Sequence, residues 1–181
     1  MLEMRDALTA RHRSQTGRAL DFYWLGRFNQ QSTTKFHRDN APEESILLLG
    51  YEPTTGEGKL SIADYSRAAT RLGLSPREFL EKRNPMFADG ERALADHVVV
   101  VNDYDITRFQ LIAINNSDAS PETGRLLGVL HKADVPKPNS NASRVINSGM
   151  LAVPEEGKSE WVTKEEIQTF LETETVSQRL Y

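Results

Sequence analysis

The chain has 181 residues, no cysteine, a formal net charge of −4 and a pI near 5.6. That length suits one domain that buries a core without covalent staples, and 38% apolar with 27% charged residues is the composition of an ordinary soluble globular protein. The missing thiols exclude a disulfide framework, a zinc–thiolate or iron–sulfur site and a cysteine nucleophile. The mild charge gives no argument for nucleic-acid or acidic-membrane binding.

Residues 1–16 read as a short basic helix or arm that Gly17 ends. Residues 21–31 (DFYWLGRFNQQ) are aromatic-rich and read as one or two strands, and 33–39 (TTKFHRD) as another. A turn at 40–44 leads to 45–52 (SILLLGYE), whose continuous apolar run predicts a buried strand. A loop follows at 53–59. Ser61 with Asp64 predicts a helix over 62–72 closed by Gly73, and Ser75, Pro76 and Glu78 predict a second over 76–83. The β pattern resumes at 97–102, 106–115, 125–131 and 143–151, with loops at 117–124 and 132–142. Residues 154–160 read as a flexible linker, and Thr163 with Glu166 caps a last helix over 164–174.

Six or more strands with short turns and a helical insertion predict a mainly β domain, a sandwich or barrel. The βαβα alternation of a parallel fold is absent. The whole chain reads as a single domain: an arm at 1–20, a β core at 21–153 carrying the insertion 61–84, and a linker with a terminal helix at 154–181. The longest apolar runs are too short to span a bilayer, and the opening residues lack the order of a secretory signal. The expected location is therefore cytoplasmic, and the two N-x-S sequons, at Asn115 and Asn141, read as chance matches. Gly56-Glu-Gly-Lys59 falls short of a phosphate loop, with Pro53 in place of its first glycine and Leu60 in place of Ser/Thr. His37-Arg-Asp39 lacks the asparagine of a kinase catalytic loop, Glu44 standing there instead.

The four histidines are His12, His37, His97 and His131. His37-Arg38-Asp39 is an H-x-D. On a strand its first and third side chains share a face, with Arg38 on the other. His131 closes the strand candidate at 125–131. Set side by side, the two strand ends bring two imidazoles and one carboxylate to one face of a metal, the facial triad of non-haem Fe(II) oxygenases. The same tripeptide also reads as a plain turn, since Asp39-Asn40 before Ala41-Pro42 can cap and reverse the chain. Arg144 follows on a strand, flanked by Val145 and Ile146. A dicarboxylate bound to the metal by its other end would give that arginine a bidentate partner. Thr33 and Lys35 share the parity of His37 and are pocket candidates, Lys35 reading rather as a solvated residue. Asn115 and Asn116 end a strand that faces the pocket or makes a turn. Arg27 and Asn29 read as an outer polar face, Tyr23, Trp24 and Phe28 as core, His12 as exposed and His97 as structural.

From His37 to Leu151 the chain resembles a known family. The H-x-D, then SILLLGYEP with a Gly-rich loop and short helix, then HKADVPKPNSNASRVINS are similar to the clavaminate synthase/taurine dioxygenase-like branch of the Fe(II)/2-oxoglutarate-dependent oxygenases. The resemblance implies a double-stranded β-helix, the jelly roll also found in cupins. It implies that His37, Asp39 and His131 hold the catalytic iron and that Arg144 holds the distal carboxylate of 2-oxoglutarate. Lys59 stands where relatives often place a threonine against 2-oxoglutarate, and Ser148 where some carry a second basic residue. Both are therefore further cofactor-side candidates. The implied cofactors are Fe(II), 2-oxoglutarate as co-substrate and dioxygen. The implied activity is hydroxylation of a small molecule, with no nucleic-acid or membrane partner and with a homodimer left open. Two alternatives stand beside it: a cupin-type metal protein that does not use 2-oxoglutarate, with Arg144 structural, and a metal-free β-sandwich binding module.

Overall fold

The computed structural model describes residues 1–101, 105–139, 141–154 and 161–177. Among them, helix α1 (Leu2–Thr16) precedes strands β1 (Asp21–Asn29), β2 (Ser45–Tyr51) and β3 (Lys59–Asp64). Three short helices follow, α2 (Tyr65–Arg71), α3 (Pro76–Lys82) and α4 (Ala88–Leu94). Strands β4 (Val98–Val100), β5 (Gln110–Asn115), β6 (Val129–Asp134) and β7 (Val145–Ala152) and helix α5 (Lys164–Glu172) complete the order.

The strands form two antiparallel sheets, ordered β1-β7-β2-β5 and β4-β3-β6. An isolated bridge between His37 and His131 adds the segment around 34–37 to the free side of β6. The pairings nest: β1 with β7, the 34–37 segment with β6, β2 with β5, and β3 with β4. Strand β2 shows why its sequence is apolar throughout. Leu47, Leu49 and Tyr51 join Leu60 of β3 and Val129 of β6 in a core shared by both sheets. Leu48 faces the other way, into a cluster with Phe22 and Leu151 that Leu2, Leu8 and Ile167 of the terminal helices cover. A strand buried on both faces has no polar side to alternate with.

The architecture is mixed α/β, with about 29% strand and no closed barrel among the described residues, where the sequence predicts a mainly β chain. The helix expected over 62–72 starts later. Residues 59–64 pair with β6 along their whole length, burying Leu60 and Ala63, and the helix begins at Tyr65 with Asp64 as its cap. The Asp64 side chain accepts from the Arg67 N–H at 2.9 Å. The insertion reaches beyond residue 84 to include α4, whose N-cap, Phe87, makes no side-chain capping bond and so leaves no signature in the sequence. The strand expected at 125–131 lies at Val129–Asp134, so His131 is interior to it. Gly128 abuts the Tyr65 ring, where an added Cβ would meet ring carbon at 2.4 Å, and the chain joins the sheet only past this point. The expected linker residues 155–160 and the end of the 97–102 strand lie outside the described residues. The capping boxes foreseen at Ser75 and Thr163 are both present. No helix among the described residues is long and apolar enough to cross a membrane.

Candidate metal centre

His37 and His131 exchange backbone hydrogen bonds, His37 N–H to His131 O at 3.0 Å and His131 N–H to His37 O at 2.9 Å. Residues paired this way in an antiparallel ladder stand opposite each other on one face. Their rings are accordingly 4.3 Å apart between centroids and tilted by 50°. Three residues earlier, Thr34 donates its N–H to Ala133 O at 2.9 Å. Three steps on one side against two on the other leave one extra residue, the mark of a β-bulge. The bulge breaks the alternation assumed from sequence. Thr34 and His37 line the cavity, whereas Thr33 accepts from the Val135 N–H and Lys35 reaches out to Glu91.

Asp39 is aimed by a buried amide. The Asp39 N–H donates to Asn116 Oδ1 at 3.0 Å, and Asn116 Nδ2 donates back to Asp39 O at 3.1 Å and to Ser45 Oγ at 3.0 Å. Asn116 is 1% exposed. Arg38 points away from the two histidines, donating to Asn116 O at 3.2 Å. The tripeptide thus presents the His37 and Asp39 side chains together while Arg38 takes the other direction.

His37 Nδ1 lies 2.6 Å from Lys35 O. A carbonyl can only accept, so Nδ1 carries the hydrogen and Nε2 is left facing Asp39, 3.5 Å from its carboxylate. Burial works to lower the His37 pKa, but the hydrogen bonds to Asp39 and Lys35 O and the Asp39 charge outweigh it and raise it. His131 goes the other way: burial first, then the His37 charge, push it down to about 4. It is therefore neutral at pH 7, with a lone pair to give. The ligand atoms of His37, Asp39 and His131 lie within 4.8 Å of one another. Ligands about 2.1 Å from one ion sit roughly 3 Å apart in adjacent positions, so a small inward closing seats a divalent metal. Neutral imidazole, a second imidazole with its outer nitrogen already fixed, and a carboxylate are a donor set that fits such an ion.

The cavity beside these groups holds about 20 Å³, room for about one water. Gln30, Tyr51, Leu60 and Ser148 help to line it. Arg144 stands behind that wall. It is 2% exposed, its Nη1 donates to Gln30 Oε1, and its guanidinium lies 5.2 Å from the Tyr51 ring centre. The Gly-rich loop crosses over it: a Cβ on Gly58 would sit 2.7 Å from Arg144 Nε, so any larger residue there would push the guanidinium aside. Ser148 is buried in the wall and donates to Leu48 O at 3.4 Å. Lys59 is exposed at the start of β3 and is not among the lining residues, its neighbour Leu60 taking the inner position.

The remaining candidates are elsewhere. Arg27 pairs with Glu52 and Asn147, and Asn29 accepts the Arg144 N–H at 2.8 Å. His12 is not exposed: its side chain is 12% accessible, held between Arg18 O and Glu44. Gln30, Thr34 and Gly58 were not singled out from sequence, and Asn116 was singled out only as a wall or turn residue. No protein-family model, no curated protein and no solved structure matches this chain.

Proposed function

We propose that this chain is a mononuclear non-haem Fe(II) enzyme, a 2-oxoglutarate-dependent dioxygenase that hydroxylates a small molecule on a jelly-roll scaffold. The observation that carries the proposal is the convergence of His37, Asp39 and His131 on one point. Two imidazoles and one carboxylate with open positions are the ligand set of non-haem iron oxygenases. The nested pairing supports the scaffold, because a long antiparallel hairpin rolled up on itself gives first-with-last, second-with-seventh pairing of eight strand positions. The cysteine-free composition accords with a cytoplasmic setting.

When bound, iron and 2-oxoglutarate supply the activation of dioxygen. The chain supplies geometry and charge. His131 offers an unprotonated nitrogen, and Asp39 brings the negative charge that a divalent ion needs. Lys35 O fixes the His37 ring by its outer nitrogen. Arg144 provides a buried cation for a distal carboxylate, to which a guanidinium binds in bidentate fashion. Phe28, Leu49 and Ile146 form an apolar wall against water.

A second reading, a cupin-type metal protein that does not use 2-oxoglutarate, is favoured by one observation. The cavity is far smaller than a dicarboxylate, and Gln30 occupies Arg144. Anaerobic titration of the protein with Fe(II) and then 2-oxoglutarate separates the two, since a weak visible charge-transfer band is expected for the first reading alone. Asp39→Ala is expected to lose most iron affinity, and stoichiometric iron in that variant refutes the centre. Arg144→Ala is expected to keep iron and weaken 2-oxoglutarate by about 2–5 kcal/mol; an unchanged affinity reassigns Arg144 to structure.

A further inference from the structure

We infer that Gln30 gates the anion site at Arg144: its amide oxygen holds the guanidinium where a ligand carboxylate would bind, and the ligand enters only when that side chain turns out. The inference rests on the dioxygenase reading and adds how the co-substrate is admitted. Gln30 is 7% exposed, lines the cavity beside the two histidines, and accepts from Arg144 Nη1 through Oε1. With Tyr51, which also lines the cavity and lies against the guanidinium, it touches both the cavity and the cation.

The rest of the cavity wall is committed. Phe28, Leu49, Tyr51, Leu60 and Ile146 belong to the shared core. Thr34 Oγ1 accepts the Ala133 N–H at 2.9 Å, and Ser148 Oγ donates to Leu48 O. The chain on either side of Gln30 is also pinned. Gln30 N–H donates to Arg144 O at 2.9 Å, Asn29 Oδ1 accepts the Arg144 N–H at 2.8 Å, and Gln31 Nε2 donates to Ala142 O at 2.7 Å. What is left to move is the Gln30 side chain itself, by rotation about its own bonds. A cavity of about 20 Å³ holds one water and not a dicarboxylate, so the amide must leave before a ligand reaches Arg144. The exchange favours the ligand, because a carboxylate bonds a guanidinium through two charge-assisted hydrogen bonds where the amide oxygen offers a neutral one.

The test is anaerobic titration of the full chain, loaded with Fe(II), with 2-oxoglutarate, reading the charge-transfer band and the heat of binding. Gln30→Ala removes one acceptor of the guanidinium and is expected to tighten 2-oxoglutarate about tenfold, the size of one hydrogen bond to a charged group. Gln30→Glu places a carboxylate on the arginine permanently and is expected to weaken it more than tenfold. Iron affinity, measured in the same samples, is expected to stay unchanged in the alanine variant. Should that variant not fold, Gln30→Asn, which draws the amide back by one methylene, carries the same expectation. Equal or weaker binding in Gln30→Ala with iron binding intact overturns the gate and leaves the dioxygenase reading standing. Binding in the alanine variant where the wild type shows none upholds the gate. Absence of 2-oxoglutarate binding in both, with iron bound, overturns the dioxygenase reading and the gate with it.

Discussion

Asn116 decides where Asp39 points. Its amide answers both backbone groups of the aspartate, so removing it leaves a half-buried N–H and C=O without their partner, a loss of about 1–3 kcal/mol. Asn116→Ala is therefore expected to lower metal affinity roughly 10–100-fold, as outer partners of metal ligands do. The check is a Co(II) titration read by its visible bands, alongside a melt showing the fold kept. Affinity equal to wild type would leave the H-x-D to aim its own carboxylate. The H-x-D spacing and chain order led to the grouping of His37, Asp39 and His131, but Asp39 lies outside any strand and its backbone is held by Asn116 rather than by strand parity. Thr34 was not legible, because a bulge moves the parity by one and no side-chain period announces it. Asn116 was half legible: Asn-Asn-Ser-Asp reads as a turn, and only the folded chain shows its amide reaching back to residue 39.

Helix α4 braces the face of the smaller sheet turned away from His37 and His131. Its Glu91 carboxylate bonds Lys132 Nζ at 2.8 Å and Lys35 Nζ at 3.0 Å, one neighbour each of His131 and the bulged segment. Those two ammonium groups hold the Glu91 carboxyl below its ordinary pKa. Such partly exposed pairs contribute little each, so Glu91→Gln is expected to cost under about 1 kcal/mol in a urea melt. Packing matters more. An added Cβ at Gly90 would lie 2.3 Å from the Arg83 and Asn84 carbonyl oxygens. Gly90→Ala is thus expected to destabilise the protein by about 1–3 kcal/mol despite the better helix propensity of alanine. A neutral or stabilising result would mean that α4 does not pack this closely. Helices α3 and α5 were legible because capping boxes announce them. The start of α2 departs from the sequence expectation because Ser61 and Asp64 mimic a box while β6 claims residues 59–64 as a strand.

For the whole molecule, the buried His131 sets an acid limit. Its pKa is about 4 when folded against an ordinary 6.5. A depressed value means that the unfolded chain takes the proton first. The stability is full above about pH 6.5 and falls as pH drops toward 4. His37, with a raised value, acts oppositely: its contribution is present below the ordinary value and fades as pH rises through the raised one. The metal-free protein is expected to melt at lower temperature at pH 4.5 than at pH 7, with His131→Gln flattening that acid limb. An identical slope in the variant would point to other groups. Added Co(II) is expected to raise the melting temperature more at pH 7 than at pH 5.5, because protons compete for the same nitrogens. The nested ladder has a kinetic consequence as well. His37 and His131 meet only through partners distant in sequence, inside a closure that β1 and β7 complete. High contact order of this kind slows folding. A nascent or clipped chain then keeps only the local His37–Asp39 pair, and His131 joins it when the ladder has closed.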